Sequence, residues 1–438
     1  MQRVWCRDLP ATDMLVRGAR VVDPLIGLDA VRDVLVRKGV VTAVGDAVET
    51  PKGVRVVDAA GCLLLPGFVD LHTHTRVPGR EDEEDLASVS RAAAAGGYVA
   101  IFAMANTDPA VDTAPVLESL QRKAQAEALV PIGLFAAVTR GLQSAELTEM
   151  WELAEAGAVG FSDDGRPLAN CHILRRAMQY LKVTDRFIAV HAQDDSLMGA
   201  GVMHEGAVSA RLGLAGIPTI SESIDVARSL EIAAYEDGRL HLCHVSTARS
   251  LEHLALARQS GVRVTAEATP HHLTLTDEAV ESLDSNLKMN PPLRPESDRK
   301  ALVEALRSGV IDCIATDHAP HAQQEKEVPF EEAAFGTVGL ETAFAVIYAA
   351  MVPGKQLSLP VLVERMSQAP ARIAGIAEPT IQPKRPADFC VVDPRATWQV
   401  TAASLHSKCA NSAWLGATLK GRVKLTVAAG RLVWEDGA

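Results

Sequence analysis

Apolar residues fall into two regimes along the chain. From Met14 to Asp58 they form short β-like runs, Leu15-Val16, Val21-Val22, Val34-Leu35-Val36 and Val54 to Val57, separated by Gly, Asp and Pro turn signals. The tail repeats this regime at Asp388 to Val392, Val423 to Val427 and Arg431 to Trp434. Between them lie eight apolar runs, starting near Leu63, Val99, Ile132, Val159, Phe187, Leu240, Val262 and Ile311, each followed by a helical pattern or a loop leading to one. Helical spacing predicts Glu83–Ala95, Ala145–Ala156, Cys171–Leu181, Ser221–Ala234, Ser250–Gln259 and Asp298–Leu306. Strands alternating with helices predict a parallel sheet, and eight of them predict a closed barrel. The expected fold is therefore α/β: a (β/α)8 TIM-type barrel over residues 62–378, with a small β-sandwich built from residues 14–61 and 379–438. Residues 1–13 show no apolar period and are expected to form a flexible extension.

Composition narrows the function classes. The 438 residues are 48% hydrophobic, enough for a barrel plus a smaller module, and their formal net charge of −12 argues against a nucleic-acid or anionic-membrane partner. The longest uncharged run, Ala92 to Thr107, is too short to span a membrane, and the N-terminus has no apolar signal core. Seven widely spaced cysteines with no CxxC pair read as reduced thiols in a cytoplasmic protein.

Active sites of such barrels lie at the C-terminal ends of the strands. The polar residues ending the apolar runs are His72 and His74, Asn106, Ser162-Asp163-Asp164-Gly165, His191, His244 and Asp317-His318. His72 and His74 are two apart on a strand, so both point to one side and can hold one ion. Nitrogen and oxygen donors without thiolate favour Zn, Mn, Co or Fe. Four imidazoles and two carboxylates exceed the three ligands of a single catalytic zinc and fit a binuclear site with one bridging carboxylate. His271 and His272 end no apolar run directly and read as structural or supporting groups. His241 lies inside a strand and reads as packing. The charged run Arg80 to Asp85 reads as a solvated helix start.

The segment Pro66-Gly-Phe-Val-Asp-Leu-His-Thr-His74 resembles the signature of the metal-dependent amidohydrolase superfamily. A fuller set resembles class I dihydroorotases of the bacterial type: His74-Thr-Arg76-Val-Pro-Gly79, Ala105-Asn106-Thr-Asp-Pro109, Phe161-Ser-Asp-Asp-Gly165, His204-Glu-Gly206, Lys288-Met-Asn290-Pro-Pro-Leu-Arg294, Ala315-Thr-Asp-His-Ala-Pro-His321 and Phe335-Gly-Thr-Val-Gly-Leu-Glu341. The resemblance implies two divalent metals, zinc by expectation: one on His72, His74 and Asp317, the other on His191 and His244, with Asp164 bridging. Many relatives bridge with a carbamylated lysine; no lysine lies near this strand end, which implies the aspartate-bridged subgroup. The resemblance further implies that Asp317 shuttles a proton and that Arg76, Asn106 and His321 bind the substrate carboxylate. Asn290 and the backbone near Phe335-Gly336 would orient the ring. The implied reaction is reversible hydrolysis of (S)-dihydroorotate to N-carbamoyl-L-aspartate by a hydroxide bridging the metals, a step of pyrimidine synthesis. The resemblance also allows a homodimer and an association with aspartate transcarbamoylase.

Three segments depart from the family pattern: Thr75-Arg76-Val77-Pro78-Gly79 where Leu-Arg-Glu-Pro-Gly is usual, Ala105 where Pro is usual, and His191-Ala-Gln193 where His-Cys-Glu is common. None removes an expected ligand. Other readings stay open at this level: a hydantoinase, dihydropyrimidinase or allantoinase, against which Arg76 and Asn290 argue; a non-catalytic scaffold of aspartate transcarbamoylase, which would be expected to lose ligands; and a metal-storage or structural zinc protein, which needs neither a proton shuttle nor a carboxylate-binding arginine.

Overall fold

The computed structural model describes residues 3–437. Its centre is the expected barrel. Phe68–Thr73, Tyr98–Ala103 and Ile132–Leu134 form one parallel ladder; Ile188–Val190, Leu240–Leu242, Val264–Ala268 and Cys313–Ile314 form another. Phe161 takes the fourth place through parallel bridges to Ala136 and Ile188, and a bridge between Thr73 and His318 closes the ring. Every residue of Phe68–Thr73 and Tyr98–Ala103 is buried. Helices cover the outer face of a parallel barrel and side chains fill its interior, so these strands read as continuous apolar runs.

The helices begin where local chemistry satisfies their first N–H groups. Leu86–Ala95 is closed by a capping box, with the Ser88 N–H donating to Asp85 Oδ1 at 2.7 Å and the Asp85 N–H donating to Ser88 Oγ at 3.1 Å. Asn170 caps Cys171–Leu181 and Thr247 caps Ala248–Gln259 in the same spirit. Thr219–Glu236 and Glu296–Ser308 complete the outer layer on that side.

Both termini enter one eight-stranded mixed sheet beside the barrel, with Arg55–Asp58 paired to Met14–Asp23. Its other strands run in the order Arg431–Glu435, Thr418–Ala428, Phe389–Gln399, Leu63–Pro66, Met14–Asp23, Leu28–Arg37 and Val40–Gly45. The sheet has its own apolar core around Met14, Val34, Leu64, Phe389 and Leu425. The apolar run from Leu63, expected to be the first barrel strand, therefore splits: Leu63–Pro66 belongs to the sheet and Phe68–Thr73 to the barrel. Gly67 makes the passage because a Cβ there would lie 2.1 Å from Val99 Cγ1. We place the sheet–barrel boundary at this glycine.

The expected flexible extension is corrected over residues 3–13; Met1 and Gln2 lie outside the described residues. Trp5 exchanges two backbone hydrogen bonds of 2.9 Å with Ile132, and its side chain is buried against the barrel core. The Arg7 N–H donates to Ala128 O and the Arg3 guanidinium to Ala374 O. One anchoring aromatic has no period, so periodicity could not reveal it.

Candidate active site

The strand ends bring the expected imidazoles and carboxylates together. His72 Nε2 lies 3.1 Å from Asp164 Oδ2 and 3.6 Å from Asp317 Oδ1. His74 Nε2 lies 3.0 Å from Asp317 Oδ1 and 3.5 Å from Asp164 Oδ2. On the other side, His244 Nε2 and His191 Nδ1 stand 3.4 and 3.8 Å from Asp164 Oδ1 and 3.0 Å from each other. Asp164 thus turns one oxygen to His72 and His74 and the other to His191 and His244. All of these groups are buried except Asp317, which keeps slight exposure.

This donor set fits divalent cations. Asp164 Oδ1 is buried and, among the described residues, accepts no hydrogen bond although two ring nitrogens face it. His72, His74 and Asp317, and likewise His72, Asp164 and His244, converge closely enough to share an ion. Burial alone would raise Asp164, yet the imidazoles of His72 and His244 hold it well below the usual carboxylate range. Asp317 is lowered too, against burial, by His72 and His74. His72 is pushed well above the ordinary imidazole value: burial opposes this, and Asp164, Glu267 and Asp317 overcome it.

Behind the cluster stands an acid that periodicity missed. Glu267, fully buried in Val264–Ala268, accepts from His72 Nδ1 at 2.7 Å and from His241 Nε2 at 3.0 Å, and His241 Nδ1 lies 2.8 Å from Thr265 Oγ1. Fixing the proton on His72 Nδ1 leaves Nε2 free for a cation, the usual service of a carboxylate behind a ligating histidine. His241, read as packing, belongs to this chain. The backbone is also shaped here: Arg76, His244 and Asp317 are non-glycine residues with positive φ, 60°, 31° and 49°. Such conformations cost about 1–3 kcal/mol each and persist where surrounding structure enforces them.

A cavity of about 210 Å³ opens over the cluster. His74, Arg76, Asn106, Asp164, His191, His244, Asn290, Asp317, His321, Phe335 and Gly336 all line it, so every expected substrate contact faces the same space. Asn106 Oδ1 lies 2.9 Å from His74 Nδ1, which directs the amide nitrogen elsewhere. Asn290 Nδ2 stands 3.3 Å from His191 Nε2. His321 Nε2 lies 2.8 Å from Phe335 O and 3.1 Å from Arg76 Nη2, and His321 Nδ1 lies 3.0 Å from Glu325 Oε2. The Gly336 N–H donates to Lys288 O, and Gly336 O accepts from Lys326 and Asn411. Among the described residues, the Phe335 N–H is the backbone donor of this pair that makes no hydrogen bond.

The run Arg80 to Asp85 leads into the helix that Asp85 caps, with Glu81 and Asp82 exposed, but its middle is not solvated. Glu83 and Glu84 are both fully buried. Glu83 Oε2 pairs with Arg76 Nε at 3.1 Å and Oε1 with Arg80 at 2.5 Å; Glu84 accepts from Ser407 and lies 3.4 Å from His318 Nε2. His318 thereby supports the wall, and His271 and His272 are buried beside the cluster, the latter 2.9 Å from Pro291 O. Gln193, one of the departures, donates through Nε2 to Asp195 Oδ1 at 2.8 Å and is not among the residues lining the cavity.

Residues 61–250 match the Dihydro-orotase-like family. A dihydroorotase of Geobacter metallireducens is 45% identical over 97% of this chain and 100% of its own length. The chain belongs to the dihydroorotase family. A second dihydroorotase, from Syntrophus aciditrophicus, is 44% identical over 97% of this chain and 99% of its own. Among solved structures, an L-hydantoinase (dihydropyrimidinase) from Arthrobacter aurescens superposes with a TM-score of 0.88 at 26% identity, covering 98% and 97% of the two chains. The dihydroorotase family thus shares its TIM-barrel amidohydrolase fold with cyclic-ureide hydrolases, and among the described residues no helix is long and apolar enough to cross a membrane.

Proposed function

We propose that this chain is a dihydroorotase, catalysing reversible hydrolysis of (S)-dihydroorotate to N-carbamoyl-L-aspartate. The observation that carries the reading is the shared cavity, in which a buried N/O donor cluster meets a buried arginine flanked by Asn106 and His321. Neutral ureides give such a cation no counter-charge; a ring carboxylate does. High identity to dihydroorotases over nearly the whole chain supports it.

In this reading His72, His74 and Asp317 would hold one divalent metal and His191 and His244 a second, with Asp164 facing both. Zinc suits these donors. Two such ions would supply Lewis acidity toward the amide carbonyl and lower the pKa of a water between them. The remaining work falls to side chains. Asp317 commits Oδ1 to His72 and His74 and makes no hydrogen bond through Oδ2 among the described residues. Oδ2 is the atom we assign to accept the proton of the attacking water and return it to the ring nitrogen. A C–O bond forms, the C–N bond breaks, and the nitrogen leaves protonated. Arg76, Asn106 and His321 take the carboxylate; Asn290 and the Phe335 N–H, next to Gly336, orient the ring. Microscopic reversibility assigns the same groups to ring closure. Seven cysteines without a disulfide support a cytoplasmic setting.

The test is a substrate panel with elemental analysis on the same sample: dihydroorotate, dihydrouracil, hydantoin and allantoin. The expected result is preference for dihydroorotate with about two divalent ions per chain. Preference for a neutral ring would move the chain to the hydantoinase reading that the fold similarity keeps open.

A further inference from the structure

At the foot of the barrel, the end away from the metal-ligand cluster, three arginines stand in register. Arg186, Arg239 and Arg263 come just before the strands Ile188–Val190, Leu240–Leu242 and Val264–Ala268. Ladder bonds hold the last two side by side, the Ile188 N–H donating to Arg239 O at 3.1 Å and the Leu240 N–H to Arg263 O at 3.0 Å. With Lys182 these arginines line a cleft of about 380 Å³. A second cavity of about 210 Å³ shares Arg239 and Arg263 but is otherwise walled by apolar groups such as Phe187, Val262 and Ile373.

The local charges do not cancel. Asp185 is taken by Arg3 and Arg186, Glu236 by Arg175 and Lys182, and Asp237 by Arg263. Arg239 donates only to the carbonyl of Asp185; among the described residues no carboxylate lies within ion-pair distance of it. In a chain of net charge −12 carboxylates are plentiful, yet Arg239, which is exposed, has drawn none among the described residues. This end of the barrel is left positive.

We propose that this paired cavity binds a small phosphorylated molecule bearing an apolar ring, with its phosphate on Arg186, Arg239, Arg263 and Lys182 and its ring against Phe187 and Val262. Guanidinium forks match phosphate oxygens, and the adjoining apolar space gives a ring somewhere to leave water. Burial and neighbouring arginines both press Arg186 and Arg239 below the ordinary guanidinium range, a repulsion that a bound dianion relieves. The site is separate from the catalytic cavity, so its ligand is an effector or stabiliser and not a substrate.

The probes are phenyl phosphate and inorganic phosphate, titrated calorimetrically into the metal-loaded full chain at fixed ionic strength set with sodium chloride. Phenyl phosphate is expected to bind saturably and about 10-fold or more tightly than inorganic phosphate. R239A/R263A is expected to weaken phenyl phosphate by at least about 10-fold, the scale of one lost charge-assisted contact, with thermal melting and hydrolysis unchanged. Arg239→Gln, which removes the one cation without a carboxylate, gives the same direction if the double variant folds poorly. No saturable binding in the wild type, or affinity unaltered in the variants, overturns the site, the latter because phosphate would then be sitting on the metals. Equal affinity for the two probes overturns a ring-bearing ligand.

Discussion

Glu83 Oε2 lies 3.1 Å from Arg76 Nε, with Glu83 fully buried and Arg76 only 10% exposed. The arginine expected to meet a substrate carboxylate is therefore held from behind by a carboxylate of its own. Glu83 Oε1 also lies 3.7 Å from His321 Nδ1, so one acid steadies two of the groups lining the cavity. A buried cation stays charged only when paired, and this pairing keeps Arg76 in place before substrate arrives.

Glu83→Gln keeps the shape and removes the charge. Arg76 and His321 would then be less firmly placed, and neither moves a proton in the proposed chemistry. KM for dihydroorotate should rise more than kcat falls, with kcat/KM lower by about 10- to 150-fold, the range of a charge-assisted contact. Steady-state kinetics with metal analysis checks this; unchanged KM would show that Glu83 serves the fold alone.

Asp164 and Asp317 should separate by what survives their loss. Asp164→Ala removes the carboxylate that, among the described residues, turns an oxygen to each histidine pair, so bound metal should drop below two ions per chain and activity should vanish. Asp317→Asn keeps an oxygen beside His72 and His74 but cannot carry a proton; metal should stay while turnover falls by about 10²-fold or more. Elemental analysis and single-turnover rates distinguish the two, and near-normal turnover of Asp317→Asn would move the shuttle elsewhere.

The legible parts of the sequence were those with a period or a fixed spacing. His72 and His74 announce themselves because two residues on a strand share a face, and the other expected ligands because they end apolar runs. Glu267 was hidden: one acid within Val264–Ala268 looks like strand alternation, and only the barrel interior reveals that it points at His72. Glu83 and Glu84 were misread because consecutive charges normally mean solvent, whereas here Arg76 folds back onto Glu83, and Ser407 and His318 come from distant segments to meet Glu84. Trp5 and the split at Gly67 depend on which neighbour is near, which no local pattern encodes.

The N-terminal segment should matter for stability. Trp5→Ala is expected to cost toward the lower end of about 3–5 kcal/mol, since the side chain keeps a solvent-facing edge. Deleting residues 1–13 should also remove the hydrogen bonds to Ile132 and Ala128 and lower the melting temperature clearly. Denaturant unfolding measures both; no change in either would show that the docked segment contributes nothing net.

Asp388 offers a pH test outside the active site. Burial pushes its carboxyl up to about 6, only partly offset by the Ala429 N–H, which donates to Oδ1 at 2.5 Å. Below the unfolded value near 4 both states hold the proton. As pH rises from there to 6 the unfolded chain releases it first, so stability falls across that window and then levels. Asp388→Asn removes this contribution. The stability difference, variant minus wild type, should increase from pH 4 to pH 6 and stay flat above; a pH-independent difference would mean that Asp388 titrates normally.

In the proposed function, substrate choice rests on Arg76. It sits two residues past His74, where φ of 60° turns the chain so that its side chain lines the cavity while its Nε reaches Pro320 O at 3.0 Å. Dihydroorotate differs from neutral ureides by its ring carboxylate, so a selective site must favour that charge by more than water does. Arg76→Met keeps the apolar stem and removes the fork. Loss of one charge-assisted contact is about 1.5–3 kcal/mol, about 10- to 150-fold in kcat/KM. The same substitution leaves Glu83 paired to Arg80 through Oε1 but removes the cation at Oε2, so a second measurement is needed to separate binding from collapse. Metal content and melting temperature supply it, and a neutral ring supplies the comparison: dihydrouracil, wherever its turnover is measurable, should lose less than dihydroorotate. Glu83→Gln in the Arg76→Met background should restore stability without restoring dihydroorotate selectivity, because the buried charge is relieved but the fork is still missing. Equal losses on charged and neutral rings would take Arg76 out of carboxylate recognition and leave Asn106 and His321 to account for it.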